Sequence, residues 1–126
     1  MPETKLTVDQ LRRIAEIEDY VKVVERVKHL VAELESNRAA QARVIQGMCE
    51  TMARELSQLR QRAITSNIGT IADVAGAMSV MAGRGGGINM KIRGLTEGVS
   101  SLVMQLDQAR KIASTPEPKR AGDKRA

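Results

Sequence analysis

Two matched runs of apolar and small residues, one on each side of a glycine-rich break, limit what this chain can fold into more than any other feature. Before the break they are Ile64, Ile68, Ile71, Ala75, Met78 and Ala82; after it come Ile88, Ile92, Leu95, Val99, Leu102 and Leu106. Both runs alternate spacings of three and four, the period of a helix with one buried stripe. Reflection about Gly85 sets Ala82 on Ile88, Met78 on Ile92, Ala75 on Leu95, Ile71 on Val99, Ile68 on Leu102 and Ile64 on Leu106. Layers that match across a flexible tip read as an antiparallel coiled-coil hairpin, with Gly83-Arg84-Gly85-Gly86-Gly87 as the tip.

Upstream, Ala39, Ala40, Ala42, Ile45, Met48, Met52, Leu56, Leu59 and Ala63 carry the seam into the first arm, and no proline stands between Pro2 and Pro116. The arms are therefore expected over 38–82 and 88–113, the first about 70 Å long at the helical rise. Thr7-Val8-Asp9-Gln10 matches a capping box, so a further helix is expected to begin at Val8. Its apolar set, from Leu11 through Ile14, Ile17, Val21, Val24, Val27 and Val31 to Leu34, predicts a helix over 8–35, with a slip in spacing that suits a bundle better than a strict seam. Ser36-Asn37 is either a turn or a polar patch in a longer helix. Residues 1–7 read as a flexible lead, and 114–126, with Pro116 and Pro118 followed by Lys119 and Arg120, as a disordered basic tail. The reading is one all-α oligomerisation domain over 8–113, an elongated helical bundle built on the hairpin.

Composition supports an associating helical protein. Tyr20 is the single aromatic residue, so the interior must come from aliphatic side chains and Met, which fill helical seams better than large globular cores. The lone Cys49 cannot close an intramolecular disulfide, and no secretory pattern opens the sequence, so a cytoplasmic location is expected, although export without a signal peptide would look the same. The net charge of +5 is uneven: residues 1–50 hold eight Lys/Arg against nine Asp/Glu, and residues 51–126 hold twelve against six.

Each candidate chemistry has a plainer explanation. The glycine-rich break lacks the Lys-Ser/Thr pair of a phosphate loop, because Ile88-Asn89 follow it, and it reads as a turn. Glu25, His29 and Glu33 share one helical face, but that face points to solvent and no second histidine exists to complete a metal site. Asp73 and Glu97 are mirror mates about Gly85, yet both fall on outer positions of their arms, which separates them for acid–base work. Cys49 sits between Met48 and Met52 on the apolar face as a buried thiol. Ser66, Ser79, Ser100 and Ser101 have no identifiable base. The sequence implies no catalytic residue, no metal site, no cofactor and no small-molecule substrate.

What remains is surface. Val74, Val80, Met81, Met90, Val103 and Met104 fall outside the seam, residues 63–83 carry one charge, Asp73, and Gly69, Ala72, Gly76, Ser79 and Gly83 allow close helix approach. A two-helix hairpin cannot bury these residues alone. The layout resembles helical hairpins of bacterial signalling, secretion and filament proteins, and no motif selects among them. The expected function is a non-enzymatic, self-assembling scaffold that acts by homo-oligomerisation, with Ile64, Ile68, Ile71, Met78, Ile92, Leu95, Val99, Leu102 and Leu106 as packing residues. Arg84, Lys91 and Arg93 are candidate contacts to an acidic protein or nucleic acid. The rival readings are a basic oligomer binding nucleic acid through Arg60, Arg62, Arg84, Lys91, Arg93, Arg110, Lys111 and the tail, or an exported filament subunit that touches membranes; a spanning segment is disfavoured by the Thr, Ser, Asn and Gly content of the first arm.

Overall fold

The structure, a computed structural model, describes residues 6–84 and 86–116. Most of the expected lead, all of the tail from residue 117 and the pivot Gly85 lie outside the described residues. Four helices follow one another: α1 (Val8–Ser36), α2 (Ala42–Ser66), α3 (Ile71–Gly83) and α4 (Ile88–Ser114), with no strand among the described residues. α1 packs against α2 and α4, and α3 packs against the same two, so the helices form a closed ring with antiparallel neighbours. The protein is an all-α, four-helix bundle.

α1 begins where the capping box places it. The Gln10 N–H donates to Thr7 Oγ1 at 3.0 Å and the Thr7 N–H donates to Gln10 Oε1 at 2.9 Å, so two of the otherwise orphaned amides of the first turn are satisfied. The Gln10 side chain also reaches across the bundle to the Thr115 carbonyl at 2.7 Å, which ties the start of α1 to the end of α4. At the other end Ser36-Asn37 is a turn. The Asn37 side-chain amide and backbone N–H both donate to the Glu33 carbonyl, at 2.7 and 3.0 Å, and close the helix.

The first hairpin arm, expected as one helix over 38–82, is two helices. α2 stops at Ser66, Asn67 takes the left-handed conformation (φ 56°, ψ 47°), Gly69 follows at φ 50°, and the chain reverses into α3. Asn and Gly are the residues that adopt positive φ at least cost, which is why the helix breaks here although the apolar spacing runs on. Gln105 of α4 secures the break: its Oε1 accepts from the Thr70 N–H at 2.9 Å and from Thr70 Oγ1 at 3.1 Å. Ile64 changes role as a result. It lies on the outer side of α2, 50% exposed, while its mirror mate Leu106 is buried and lines a small cavity with Val21 and Val24 of α1.

The remaining seam residues point inward. Ile68, Ile71, Met78, Ile92, Leu95, Val99 and Leu102 join Ile17, Tyr20, Val27, Leu34, Met52 and Leu56 in one buried cluster. Small residues set how closely the helices approach. On the α2 side of α3, the Ser79 hydroxyl donates to the Ala53 carbonyl at 3.0 Å and Gly76 lies under the Arg60 side chain. On the α4 side, Met78 packs over Gly98 and Met81 over Gly94; a Cβ added at Gly98 would lie 2.5 Å from Met78 Sδ and 2.6 Å from its Cγ. Met78 is 2% exposed and has little room to move away.

Two glycine substitutions should therefore change stability in opposite directions. Gly98→Ala is expected to lower it by about 1–2 kcal/mol, because overpacking outweighs the gain in helix propensity. Gly47→Ala, in α2 with nothing near its would-be Cβ, should raise stability by about 0.5–1 kcal/mol. Urea unfolding followed by circular dichroism checks both.

Candidate functional site

The densest polar cluster lies where α2 ends against α1. Tyr20 is 1% exposed on α1, and its hydroxyl meets Ser66 Oγ and lies 3.1 Å from the Arg62 carbonyl. Ser66 Oγ in turn donates to Glu16 Oε2 at 2.7 Å. Arg13 donates to the Ser66 carbonyl at 2.6 Å and to the Asn67 carbonyl at 3.4 Å, while its guanidinium stands 3.7 Å from Glu16. The Arg62 guanidinium lies 5.1 Å from the centre of the Tyr20 ring and 3.7 Å from Asp19.

The physical logic is that of a helix C-terminus. The last carbonyls of α2 have no intrahelical donors, and the partial negative charge there favours a cation. Arg13 supplies that cation from α1, since no basic residue stands in the last turn of α2 itself. Ser66 resembles a nucleophile only in having a carboxylate beside it. It is 7% exposed and its hydroxyl lies between Glu16 and the Arg62 carbonyl, so the arrangement ties the end of α2 to α1. Sequence reading missed this cluster. The available signal was Tyr20, a lone aromatic three residues after Ile17 on the buried stripe, whose hydroxyl needs a partner once the ring is buried.

Other candidates lie apart. Glu25, His29 and Glu33 are exposed on α1, and among the described residues no group of three or more His, Cys, Asp or Glu side chains is placed to hold a metal ion. Asp73 and Glu97 are both exposed. Cys49 is 4% exposed, with the Lys91 ammonium 3.8 Å from its sulfur.

The three basic residues expected at the tip divide. Lys91 is half-buried and also donates to the Ala82 carbonyl at 3.4 Å, near the end of α3, so it links α2, α3 and α4. Arg84 is exposed, and Arg93 is exposed with Glu97 3.8 Å away. Several further cations are matched by carboxylates: Arg110 lies 2.9 Å from Glu18, Arg26 3.1 Å from Glu55 and Lys111 3.6 Å from Asp107.

Large apolar side chains are exposed on every helix, Val8 and Leu11 on α1 and Val44 and Ile64 on α2 among them, and α4 carries the most. Val80 is 56% exposed, Met90 74%, Val103 43% and Met104 63%. Between α3 and the start of α4 an open groove of about 500 Å³ is lined by Met81, Met90, Gly94 and the basic tip residues. No helix among the described residues is long and apolar enough to cross a membrane. Comparison with protein-family models, with curated proteins and with solved structures finds no match.

The Tyr20 cluster yields a stability prediction. Tyr20→Phe removes one buried hydroxyl contact, while Ser66 Oγ keeps Glu16 and the Arg62 carbonyl keeps the Ser66 and Thr65 hydroxyls, so the loss should cost about 0.5–1.5 kcal/mol. Chemical unfolding checks it; an unchanged midpoint would show that the hydroxyl contributes nothing to the turn.

Proposed function

We propose that this chain is a non-enzymatic helical interaction module that works by packing against further copies of itself, through the side formed by α3 and α4. The observation that carries the proposal is α3. It is an outer helix whose thirteen residues include one charged side chain, Asp73, and it stands beside exposed Met90 and Met104 on α4. A helix that meets only water normally carries charge on its outer positions, and an exposed apolar surface rimmed by polar residues marks an interaction site. The bundle already buries its own seam, so this surplus is free for another chain.

A coiled-coil style of contact fits the surface, since Met90 and Met104 lie two heptads apart on one side of α4. The nucleic-acid reading has less behind it. Of the cations it would use, Arg60 and Arg84 are exposed, Arg62, Arg93, Arg110 and Lys111 each have a solvated carboxylate within 3.8 Å that competes weakly with phosphate, and Lys91 turns inward toward Ala82 and Cys49.

Light scattering of the full chain should report a mass at least twice the monomer's 13.7 kDa. A monomer at high concentration would overturn the proposal, and retention of DNA or RNA that weakens steeply with salt would favour the rival.

A further inference from the structure

We infer that two copies of the chain meet through the outer row of α4, antiparallel to each other, about a two-fold axis at Glu97. This rests on the self-assembly proposed above and supplies its interface. Met90, Glu97 and Met104 stand seven residues apart on the side of α4 that faces away from Ile92, Leu95, Val99 and Leu102. All three are well exposed: Met90 74%, Met104 63% and the Glu97 side chain 74%. Because Met90 and Met104 are equally far from Glu97, a second α4 laid antiparallel across this row places Met90 of each copy on Met104 of the other. Such an isologous contact is the commonest closed symmetry, and it terminates at a dimer.

The charges fit the same axis. Arg93 and Glu97 lie 3.8 Å apart, and both side chains are more than 70% exposed and free to turn. Across the axis Arg93 opposes Ser101, which is small enough to let the guanidinium reach Glu97 of the second copy one turn away. The two pairs then form a ring of four charges in which each Glu97 carboxylate at the axis has a guanidinium of the other copy beside it to offset the repulsion between the two carboxylates.

Beside the start of α4 lies the groove between Met81, Met90 and Gly94, about 500 Å³ and open to solvent, which receives Met104 of the second copy. The flexible thioethers of three methionines can pack there without strict shape matching.

The test uses sedimentation equilibrium of the full chain. Arg93→Glu surrounds the axis with four negative charges and should weaken self-association by about tenfold or more. The swap Arg93→Glu with Glu97→Arg restores the opposite-charge pairs and should restore the mass. In a Cys49→Ala background, Glu97→Cys should oxidise to a disulfide-linked dimer, because position 97 meets itself, while Gln58→Cys on the exposed side of α2 should not. A wild-type monomer would sink self-assembly and this interface together. A wild-type oligomer that ignores Arg93→Glu and does not cross-link at 97 would sink this interface alone and leave self-assembly standing. Circular dichroism confirms that each variant keeps its helices.

Discussion

The reversal at Asn67 to Thr70 is the constraint on which the rest of the structure depends. If the chain ran straight through these residues, α2 and α3 would be one long rod, and the seam of α2 would have only α1 to cover it. The left-handed Asn67 and Gly69 instead return α3 along α2, so that four helices share one interior. Such a break is exposed to fraying, because it leaves the last carbonyls of α2 and the first amides of α3 without helical partners. The fold answers from both neighbours. α1 brings Arg13 and Tyr20 to the carbonyl side, and α4 brings Gln105 to the Thr70 amide. The turn therefore binds all four helices at one end of the bundle.

Packing between α3 and α4 follows from a core almost without aromatics. Large rings fill volume at a distance, whereas aliphatic side chains and Met must bring backbones close to reach the density of a protein interior. Gly94 and Gly98 provide that closeness by receiving Met81 and Met78. Gly76, Ser79 and Gly83 do the same toward Ala53 and Arg60 on α2. Tyr20, the one ring, is placed where its hydroxyl can hold the turn, so its polar end serves the same constraint as its buried area.

The sequence made some of this visible and hid the rest for identifiable reasons. The capping box at Thr7, the three-and-four spacing of the seam and the glycine tip are local signals, and local physics decides them. The division of the first arm was hidden because Ile64, Ile68 and Ile71 keep their spacing across the break. Periodicity reports which side of a helix is apolar and carries no information on whether the backbone continues. Ser66-Asn67 with Gly69-Thr70 was the available turn signal, and Gly69 read equally well as part of a small-residue stripe. Whether Ser36-Asn37 turns was undecidable for a related reason: the Asn37 side chain closes the helix by bonding backward to Glu33, a bond that an Asn inside a helix could also attempt. The Tyr20 cluster was hidden because its members, Arg13, Glu16, Tyr20 and Ser66, come together only after α2 has reversed against α1.

The charges on the surface form two kinds of pair, between helices and within one helix. Between α1 and its neighbours, Asp19 with Arg62, Arg26 with Glu55 and Glu18 with Arg110 bridge different helices, and each pair is largely solvated and worth little energy on its own. Their effect is to keep that surface soluble and to disfavour other registers. The outer row of α4 holds methionine at 90 and 104 where a lysine or glutamate would give the same helix, with the Arg93–Glu97 pair between them. Exposed thioethers add nothing to the fold of one chain and raise its tendency to associate. Charged and apolar groups are interleaved along the surface: Met90 and Met104 flank the Arg93–Glu97 pair on α4, and Val8 and Leu11 lie beside the Asp9–Arg12 pair on α1, so the exposed apolar side chains of both helices stand next to charges that hold water.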